Sequence, residues 1–302
     1  MIVALTGASG YLGSHLVQQL HALGHQVRGL VRPTSDLSLL HAIGADVIIG
    51  DMTDDESLRQ CVDGADAVIH NAWNWQASRK DPMANWEVNV TPSFRLLEAT
   101  RQASVGQFLF VSSCAVYGPM LSDRPLDEMH PAWPDSLYGA GKAAIEDLAM
   151  AYFHQYELNT SSWRPAVVYG IHPRRPERAT WRELIRDVAA DKPFDSDAGI
   201  SANSAEDTAH AIAIAVGRRE VAGQLYNHVG CYVYLQPARL ESSCARWAQE
   251  LSSRAGPIVD RIGPAKPRYV IVSDRAGRLG ARLDRGLGGI RAHVARVLDT
   301  LG

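Results

Sequence analysis

Short apolar segments alternate with amphipathic segments through the first half of the chain. Residues 1–6 form an apolar run that ends at Gly7, and residues 11–23 then place apolar side chains at helical spacing. Strands separated by helices are typical of a parallel sheet that is covered on both faces. The pattern therefore predicts a doubly wound α/β domain. It predicts further strands at 26–31, 45–49, 67–70, 107–111 and 160–164, and helices near 35–43, 54–63, 84–104 and 136–156.

The pattern changes after about residue 170, where proline and arginine become frequent. We expect residues 1–169 to form the doubly wound domain, residues 204–229 to rejoin it, and residues 170–302 to form mainly a smaller C-terminal lobe that binds the substrate. The further elements predicted are helices near 178–190 and 204–217, a strand at 224–229, and two or three helices with a short strand near 268–272 within residues 230–302.

Composition and charge exclude several classes of protein. With 46% hydrophobic and 21% charged residues among 302, the chain can bury a core and is neither disordered nor fibrous. A net charge of −3 gives no electrostatic reason to expect nucleic acid or an acidic membrane surface. The N-terminus lacks the basic region of a signal peptide, so we expect a cytoplasmic protein. No metal is expected, because the histidines form no ligand motif and the cysteines are far apart: Cys61, Cys114, Cys231 and Cys244.

A glycine-rich turn follows the first predicted strand and opens the first helix. Glycines at 7, 10 and 13 give a GxxGxxG spacing. The first allows a tight turn, the second lets the backbone approach a pyrophosphate, and the third lets the helix pack against the sheet. This context predicts a dinucleotide-binding domain of Rossmann type. The candidate cofactor-binding residues of the turn are Gly7, Ser9, Gly10, Tyr11, Leu12 and Gly13.

The end of the second predicted strand bears on which dinucleotide binds. An NAD-binding domain usually places an acidic residue there to bind the adenosine ribose. This sequence has Val31 followed by Arg32, whose guanidinium can form paired hydrogen bonds with a 2′-phosphate. Arg32 therefore favours NADP(H), with NAD(H) as the alternative. A solvated arginine without a ligand is the other interpretation of Arg32.

Three side chains form a candidate catalytic set. Tyr138 and Lys142 lie four residues apart at the start of a predicted helix, which places the phenol and the ammonium on one face. We expect the nearby ammonium to lower the pKa of Tyr138, which could then exchange a proton with an alcohol or ketone. Ser113 follows the predicted strand at 107–111 and could hydrogen bond with the same substrate oxygen.

Together these residues resemble the extended short-chain dehydrogenase/reductase family, which contains sugar-nucleotide epimerases, dehydratases and dihydroflavonol-reductase-like enzymes. The resemblance covers most of residues 1–170. It rests on motifs in the expected order: Thr6–Gly13, Gly50–Thr53, Val68–Ala72, Asn89, Val111–Gly118, Tyr138 with Lys142, and Arg164–Gly170.

The resemblance implies roles for particular residues. It places Ser113 with Tyr138 and Lys142, because Ser113 lies four residues before the tyrosine of the VYG motif. It implies that Asp51 contacts the adenine, although Asp51 could instead cap the following helix, and that Lys142 holds the nicotinamide ribose. It also implies that Ala72 lines the cofactor groove and that the backbone after Pro165 lies near the nicotinamide. The other candidate cofactor residues are Met52, Asn71 and Val167.

The sequence departs from the family pattern where the substrate half begins. The proline that commonly follows VYG is replaced at Ile171, and the later HVxD motif is replaced by residues 203–207. Arginines cluster nearby, and they could bind an anionic group such as a diphosphate or form a solvated helix start: Arg174, Arg175, Arg178 and Arg182. Trp73 and Trp75 could form the floor for a sugar or an aromatic substrate, or could pack beneath a lid.

These observations predict an NADP(H)-dependent oxidoreductase that interconverts a ketone and a secondary alcohol, with Tyr138 as general acid and base. One alternative is a sugar-nucleotide epimerase or dehydratase that retains NAD. Another is a non-catalytic dinucleotide-binding sensor or scaffold. The expected partner is a small-molecule substrate, with no nucleic acid and no membrane. A homodimer is a further expectation, because helices near 84–104 and 137–156 pair between subunits in the family.

Overall fold

The computed structural model describes residues 1–118, 125–190, 199–234, 271–283 and 286–301. The elements of its first half run in the order β1 (Ile2–Thr6), α1 (Tyr11–Ala22), β2 (Gln26–Val31), α2 (Ser38–Ala42), β3 (Asp46–Ile49), α3 (Asp55–Val62), β4 (Ala67–His70), α4 (Trp75–Lys80), α5 (Pro82–Asn85), a π-helical turn (Trp86–Val90), α6 (Thr91–Gln102), β5 (Gln107–Val111) and a 3₁₀ turn (Cys114–Val116). The second half continues with α7 (Leu137–Tyr156), β6 (Asn159–Pro165), β7 (Val167–Tyr169), β8 (Ile171–His172), β9 (Arg175–Ala179), α8 (Arg182–Ala189), β10 (Gly199–Ser204), α9 (Ala205–Ala213), β11 (Gln224–His228), β12 (Cys231–Tyr234), α10 (Asp274–Arg278) and α11 (Gly286–Asp299).

A seven-stranded parallel sheet with the order β11-β6-β5-β4-β1-β2-β3 forms the centre of the molecule. Helices cover both faces, with α1 and α9 on one side and α3, α6 and α7 on the other. β1 is buried on both faces, which explains its continuous apolar run. Val3 and Leu5 pack on the face that α1 and α9 cover, and Ala4 packs on the face that α3, α6 and α7 cover. The predicted doubly wound α/β fold is confirmed.

Two smaller sheets follow the central one along the chain. β10 pairs with β7 in parallel and with β12 in antiparallel orientation. β8 and β9 form an antiparallel hairpin. β11 returns to the central sheet and pairs with β6. The chain therefore leaves the central sheet after β6, returns to its edge as β11, and leaves again to complete the three-stranded sheet with β12.

The helix predicted near 84–104 is confirmed as one helical stretch over residues 82–102. It consists of α5, the π-helical turn and α6, and the backbone of Asn85, Val90 and Thr91 stays in the right-handed helical region through the junctions. Pro82 lies at the start of α5, after the extended residue Asp81, and Pro92 lies in the first turn of α6. Proline lacks the backbone donor of a helix interior and clashes with the preceding turn, so Pro82 suits a helix start and Pro92 favours the wider π-helical turn before it.

The helix predicted near 178–190 begins later, at Arg182. Residues Arg175–Ala179 are extended and pair with β8 instead. Pro176 restricts Arg175 to an extended conformation, which suits a hairpin strand. The short strand predicted near 268–272 lies mostly outside the described residues, and within them Ile271 forms an isolated parallel bridge with Leu126.

Among the described helices, none combines the length and apolar character that crossing a membrane requires. In the same part of the chain, no three His, Cys, Asp or Glu side chains come together as a metal-ligand group.

Candidate active site

A cavity of about 1780 Å³ opens at the carboxyl ends of the central strands. In a doubly wound sheet, this edge is where ligands bind. The structure brings most of the predicted site residues to its walls: Gly7, Ser9, Gly10, Tyr11, Leu12, Arg32, Asp51, Met52, Asn71, Ala72, Trp73, Trp75, Ser113, Tyr138, Lys142, Pro165 and Val167.

The glycine turn at the start of α1 leaves room for a bound group. Gly7 has a φ of +69°, and a Cβ there would lie 3.0 Å from the backbone of Ala72. A Cβ on Gly13 would lie only 1.9 Å from the carbonyl oxygen of Gly7, so Gly13 supports the turn from below while the other two face the cavity. Gly10 is the N-cap of α1, and it has no side chain to bond to the first-turn N–H groups. These features fit a pyrophosphate at a helix N-terminus.

The adenosine end of the cavity is defined by the loops after β2 and β3. Arg32, Asp51 and Met52 line it. The Asp51 carboxylate accepts hydrogen bonds from the backbone N–H and the hydroxyl of Thr53, at 3.0 and 2.8 Å. The N-cap of α3 is Asp54, so Asp51 does not cap that helix and shapes the cavity wall instead.

The three predicted catalytic side chains converge because the 3₁₀ turn after β5 lies against the first turn of α7. Ser113 caps the 3₁₀ turn after β5 and accepts a hydrogen bond from the N–H of Ala115 at 3.1 Å. Tyr138 lies in the first turn of α7. A Cβ on Gly139 would lie 2.2 Å from the Ala115 carbonyl oxygen, so this glycine lets α7 approach the turn closely. The Tyr138 phenol hydrogen bonds with the Ser113 side chain.

Lys142 lies one turn later on α7 and is buried. Its Nζ donates a hydrogen bond to the carbonyl oxygen of Val111 at 2.7 Å. Burial lowers the pKa of Lys142 to about 7, and the nearby Glu146 carboxylate opposes that decrease. The ammonium is therefore costly to desolvate and depends on its few polar contacts.

The expectation that Lys142 lowers the pKa of Tyr138 is wrong for this structure. Burial instead raises the pKa of Tyr138 to about 12, and the hydrogen bond with Ser113 only reduces the rise. Nζ of Lys142 lies 5.8 Å from the centroid of the phenol ring and donates to Val111, so its charge does not offset the desolvation of the phenolate. Tyr138 is consequently a neutral phenol at neutral pH.

Two tryptophans flank Tyr138 on the open side of the cavity. Trp75 stacks on the phenol ring with the centroids 4.1 Å apart and the planes at 20°, while 54% of its surface remains exposed. Trp73 meets the same ring edge to face at 5.8 Å. The exposed Trp75 thus lies where a substrate would approach Tyr138.

The predicted anion site at the arginine cluster is not brought to the cavity. Arg174 and Arg175 are absent from its walls among the residues that the structure describes. Arg175 pairs with Asp36 at 3.1 Å, and Arg182 donates to the carbonyl oxygen of Thr300 at 3.0 Å. The β8–β9 hairpin packs along α1, where the Tyr11 hydroxyl bonds with Thr180 at 2.9 Å, and this packing directs the arginines away from the opening.

Sequence reasoning missed a buried ion pair behind Lys142. Arg164 and Glu146 form two short contacts, from Nη2 to Oε2 at 2.6 Å and from Nε to Oε1 at 2.9 Å, and each side chain is 3% exposed. Nη1 of Arg164 also donates to the hydroxyl of Tyr117 at 2.8 Å. The sequence did offer one signal for this ion pair. Glu146 places a carboxylate four residues after Lys142, on a helix face that is apolar apart from these two side chains.

A second missed contact fixes the loop that carries the tryptophans. Asn89 lies in the π-helical turn, and its Oδ1 accepts a hydrogen bond from the N–H of Asn74 at 2.6 Å. Its Nδ2 donates to the carbonyl oxygen of Asn74 at 3.1 Å. Asn89 therefore clamps the backbone between Trp73 and Trp75.

Comparison with known proteins agrees with this geometry. The sequence profile of the NAD dependent epimerase/dehydratase family matches residues 3–230. A uronate dehydrogenase of Pseudomonas syringae pv. tomato is 31% identical over 59% of this chain and 63% of its own. A UDP-glucose 4-epimerase of Mycolicibacterium smegmatis is 35% identical over 56% of this chain and 57% of its own. The match therefore spans about three fifths of the length of these relatives.

Solved structures extend the likeness along the whole chain. The UDP-glucose 4-epimerase of Thermus thermophilus, solved in complex with NAD, is 27% identical with a TM-score of 0.77. The alignment covers 98% of this chain and 99% of that one. The resemblance predicted from the sequence motifs is confirmed.

Proposed function

The chain belongs to the NAD dependent epimerase/dehydratase family, and we propose that within it this protein is an NADP(H)-dependent oxidoreductase that interconverts a ketone and a secondary alcohol. The convergence of Ser113, Tyr138 and Lys142 at one cavity with the glycine turn carries the proposal. The nicotinamide cofactor, when bound, supplies or accepts the hydride. In the reductive direction, Ser113 orients the carbonyl oxygen and Tyr138 donates the proton to it.

In the reductive direction, Tyr138 would supply the proton that the reduced oxygen receives. Burial raises its pKa to about 12, so the phenol carries that proton at neutral pH. Lys142 would hold the nicotinamide ribose. The glycine turn would hold the pyrophosphate, and Asp51 and Met52 would border the adenine. The carboxyl ends of β4 and β6, through Asn71, Ala72, Pro165 and Val167, would border the nicotinamide side.

Arg32 supports NADP(H) over NAD(H). It lines the adenosine end of the cavity, and no described carboxylate lines that wall except Asp51, which is bonded to Thr53. The acidic residue that follows β2, Asp36, is paired with Arg175 and lies off the cavity wall. A 2′-phosphate at this end would therefore meet a cation and not a carboxylate.

Replacing Arg32 by glutamine should lower the affinity for NADPH about 10- to 100-fold, since a charge-assisted pair of hydrogen bonds is lost. The affinity for NADH should stay within about two-fold, because NADH has no 2′-phosphate for Arg32 to bind. Fluorescence titration of the two reduced cofactors measures both constants. Arg95→Gln, at an exposed arginine of α6, is the matched control. Equal losses for both cofactors would contradict this role.

Turnover tests the proposed reaction directly. Purified protein is incubated with NADPH or NADH and a panel of neutral ketones, including an aryl ketone that can stack on Trp75. Oxidation of NADPH that requires the ketone and yields the secondary alcohol supports the proposal. Conversion of UDP-glucose with no net change in reduced cofactor would establish the alternative instead.

The alternative is an epimerase or dehydratase acting on a sugar nucleotide with a retained NAD. The UDP-glucose 4-epimerase of M. smegmatis, at 35% identity, favours it. The position of Arg174 and Arg175 off the cavity removes one feature that would have supported it. A non-catalytic sensor is disfavoured, because the three catalytic candidates lie together at an open cavity.

We also propose a cytoplasmic homodimer that acts on a small molecule, with residues 170–302 contributing most of the substrate side. Phe94 on α6 and Tyr156 on α7 are 41% and 44% exposed, which is consistent with a surface for a second subunit. Sedimentation equilibrium measures the assembly state. A monomer at micromolar concentration would exclude the dimer.

A further inference from the structure

We propose that Trp73 is a positioning residue for Lys142, and that its indole face holds the ammonium group in place beside Tyr138. The indole would thus belong to the catalytic apparatus and not to the substrate floor. The mechanistic part of this inference rests on the proposed function. The contact between Trp73 and Lys142 follows from the distance between them and does not depend on the proposed function.

The geometry is that of a cation–π contact. Nζ of Lys142 lies 4.1 Å from the centroid of the Trp73 ring and 4.7 Å from that of Phe110. An indole is the strongest aromatic acceptor for a cation, and the attraction is larger where water is excluded. Lys142 is only 3% exposed, so the face of Trp73 replaces part of the hydration that the ammonium has lost.

The fold makes room for this contact at a particular residue. Gly141 lies on α7 directly before Lys142, and a Cβ there would lie 3.1 Å from Cζ2 and 3.2 Å from Cη2 of Trp73. Glycine inside a helix costs about 1 kcal/mol relative to alanine. This unfavourable glycine occurs at the position where the Trp73 indole packs against α7.

The loop around Trp73 is fixed on both sides. Ala72 packs against Gly7, and the N–H of Ala72 donates to the Thr6 hydroxyl at 3.1 Å. Asn74 is held by two hydrogen bonds with Asn89, one donated by the N–H of Asn74 and one accepted by its carbonyl oxygen. The indole therefore cannot easily leave the ammonium, and its edge-to-face contact with Tyr138 joins the two catalytic candidates through one ring.

The charged and titratable groups around Lys142 come from four elements. Tyr138 and Glu146 are on α7, and Glu146 is already paired with Arg164 of β6. His70 of β4 remains neutral, since burial and the charge of Lys142 lower its pKa to about 3. Cys114, in the turn after β5, keeps its proton because burial raises the pKa of its thiol to about 12. The aromatic face thus stabilises the ammonium together with the Val111 carbonyl and the Glu146 carboxylate.

Lysine titration by NMR tests the contact without any cofactor or substrate. The sequence has four lysines, Lys80, Lys142, Lys192 and Lys266, so lysine labelled with carbon-13 at Cε gives a spectrum simple enough to assign with Lys142→Met. The informative comparison is Trp73→Phe against Trp73→Leu. Both open similar space to water, but only phenylalanine keeps an aromatic face. We expect Lys142 to titrate ~1 pH unit lower in Trp73→Leu than in Trp73→Phe.

Trp86 provides the matched control, because it is 52% exposed and lies off the cavity wall. The same two substitutions there should leave the Lys142 titration unchanged. Should Trp73→Leu not fold, Trp73→Met serves, since it also removes the aromatic face and should likewise lower the titration point. Equal Lys142 titration in Trp73→Phe and in the variant without an aromatic ring would overturn the inference.

The pH profile of turnover separates this inference from the proposed function. If the charged ammonium is needed, activity falls as the pH rises through the pKa of Lys142. The fall should then occur about one pH unit lower in Trp73→Leu than in Trp73→Phe. A shifted NMR titration with an unshifted activity profile would keep the contact and refute the role of Lys142 in turnover. If neither the NMR titration nor the activity profile differs between the two variants, the contact itself is refuted.

Discussion

Replacing Tyr138 by phenylalanine should lower turnover by about three orders of magnitude, since general acid catalysis contributes about 10²- to 10⁴-fold. Phenylalanine keeps the ring that stacks between Trp73 and Trp75, so the walls of the site stay in place. Only the proton donor and its hydrogen bond with Ser113 are lost. Steady-state rates with NADPH and an accepted ketone measure the effect.

The affinity for NADPH should change by less than about two-fold in the same variant, because in the proposed reaction the phenol acts on the substrate oxygen and does not hold the cofactor. Tyr156→Phe is the matched control, since Tyr156 is 44% exposed at the far end of α7. It should retain full activity. Near-normal turnover by Tyr138→Phe would remove Tyr138 from the proton-transfer step.

Replacing Glu146 by glutamine should lower the free energy of unfolding by about 3–5 kcal/mol, because it leaves the buried Arg164 charge without its partner. Both side chains are 3% exposed, so water cannot substitute for the carboxylate. Urea denaturation followed by circular dichroism measures the change. The Lys142 ammonium should be destabilised too, because the Glu146 carboxylate is the charge that supports it.

Glu56→Gln is the control for this change. Glu56 pairs with Arg59 on the exposed surface of α3, where solvent screens the charges. The urea midpoint of that variant should match the wild type. A loss of less than about 1 kcal/mol in Glu146→Gln would mean that water or a moved side chain satisfies Arg164.

The parts of the site that could be predicted are those fixed by local geometry. The glycine turn depends on three positions in seven residues and on the strand and helix beside them. Tyr138 and Lys142 depend on one helical turn. Parallel strands all end at one edge of a sheet, so residues that follow β1, β4 and β5 meet at the cavity without any detailed knowledge of packing.

The parts that could not be predicted depend on contacts between distant segments. The sequence leaves the arginine cluster open between an anion site and a solvated helix start, and the β8–β9 hairpin turns Arg175 toward Asp36, which is 139 positions away in the sequence. The pKa of Tyr138 was assigned from its neighbour on the helix, whereas burial decides it. The spacing of Tyr138 and Lys142 reveals neither the desolvation nor the carbonyl of Val111 that holds the ammonium.

The helical stretch from Pro82 to Gln102 lies between these cases. Pro82 and Pro92 are visible in the sequence, and they lie at the helix start and in the turn that follows the π-helical turn. The π-helical turn between them could not be inferred, because it places Asn89 against a loop 15 residues earlier. That contact in turn positions Trp73.

The nucleotide released when the purified protein is denatured distinguishes the proposed reaction from its alternative, because an exchangeable NADP(H) separates a net oxidoreductase from an enzyme that recycles a retained cofactor. Chromatography and mass spectrometry identify the nucleotide and its molar ratio to protein. We expect an empty site or a substoichiometric amount of NADP(H). NAD(H) at close to one mole per mole of protein would contradict both the role of Arg32 and the proposed net reaction.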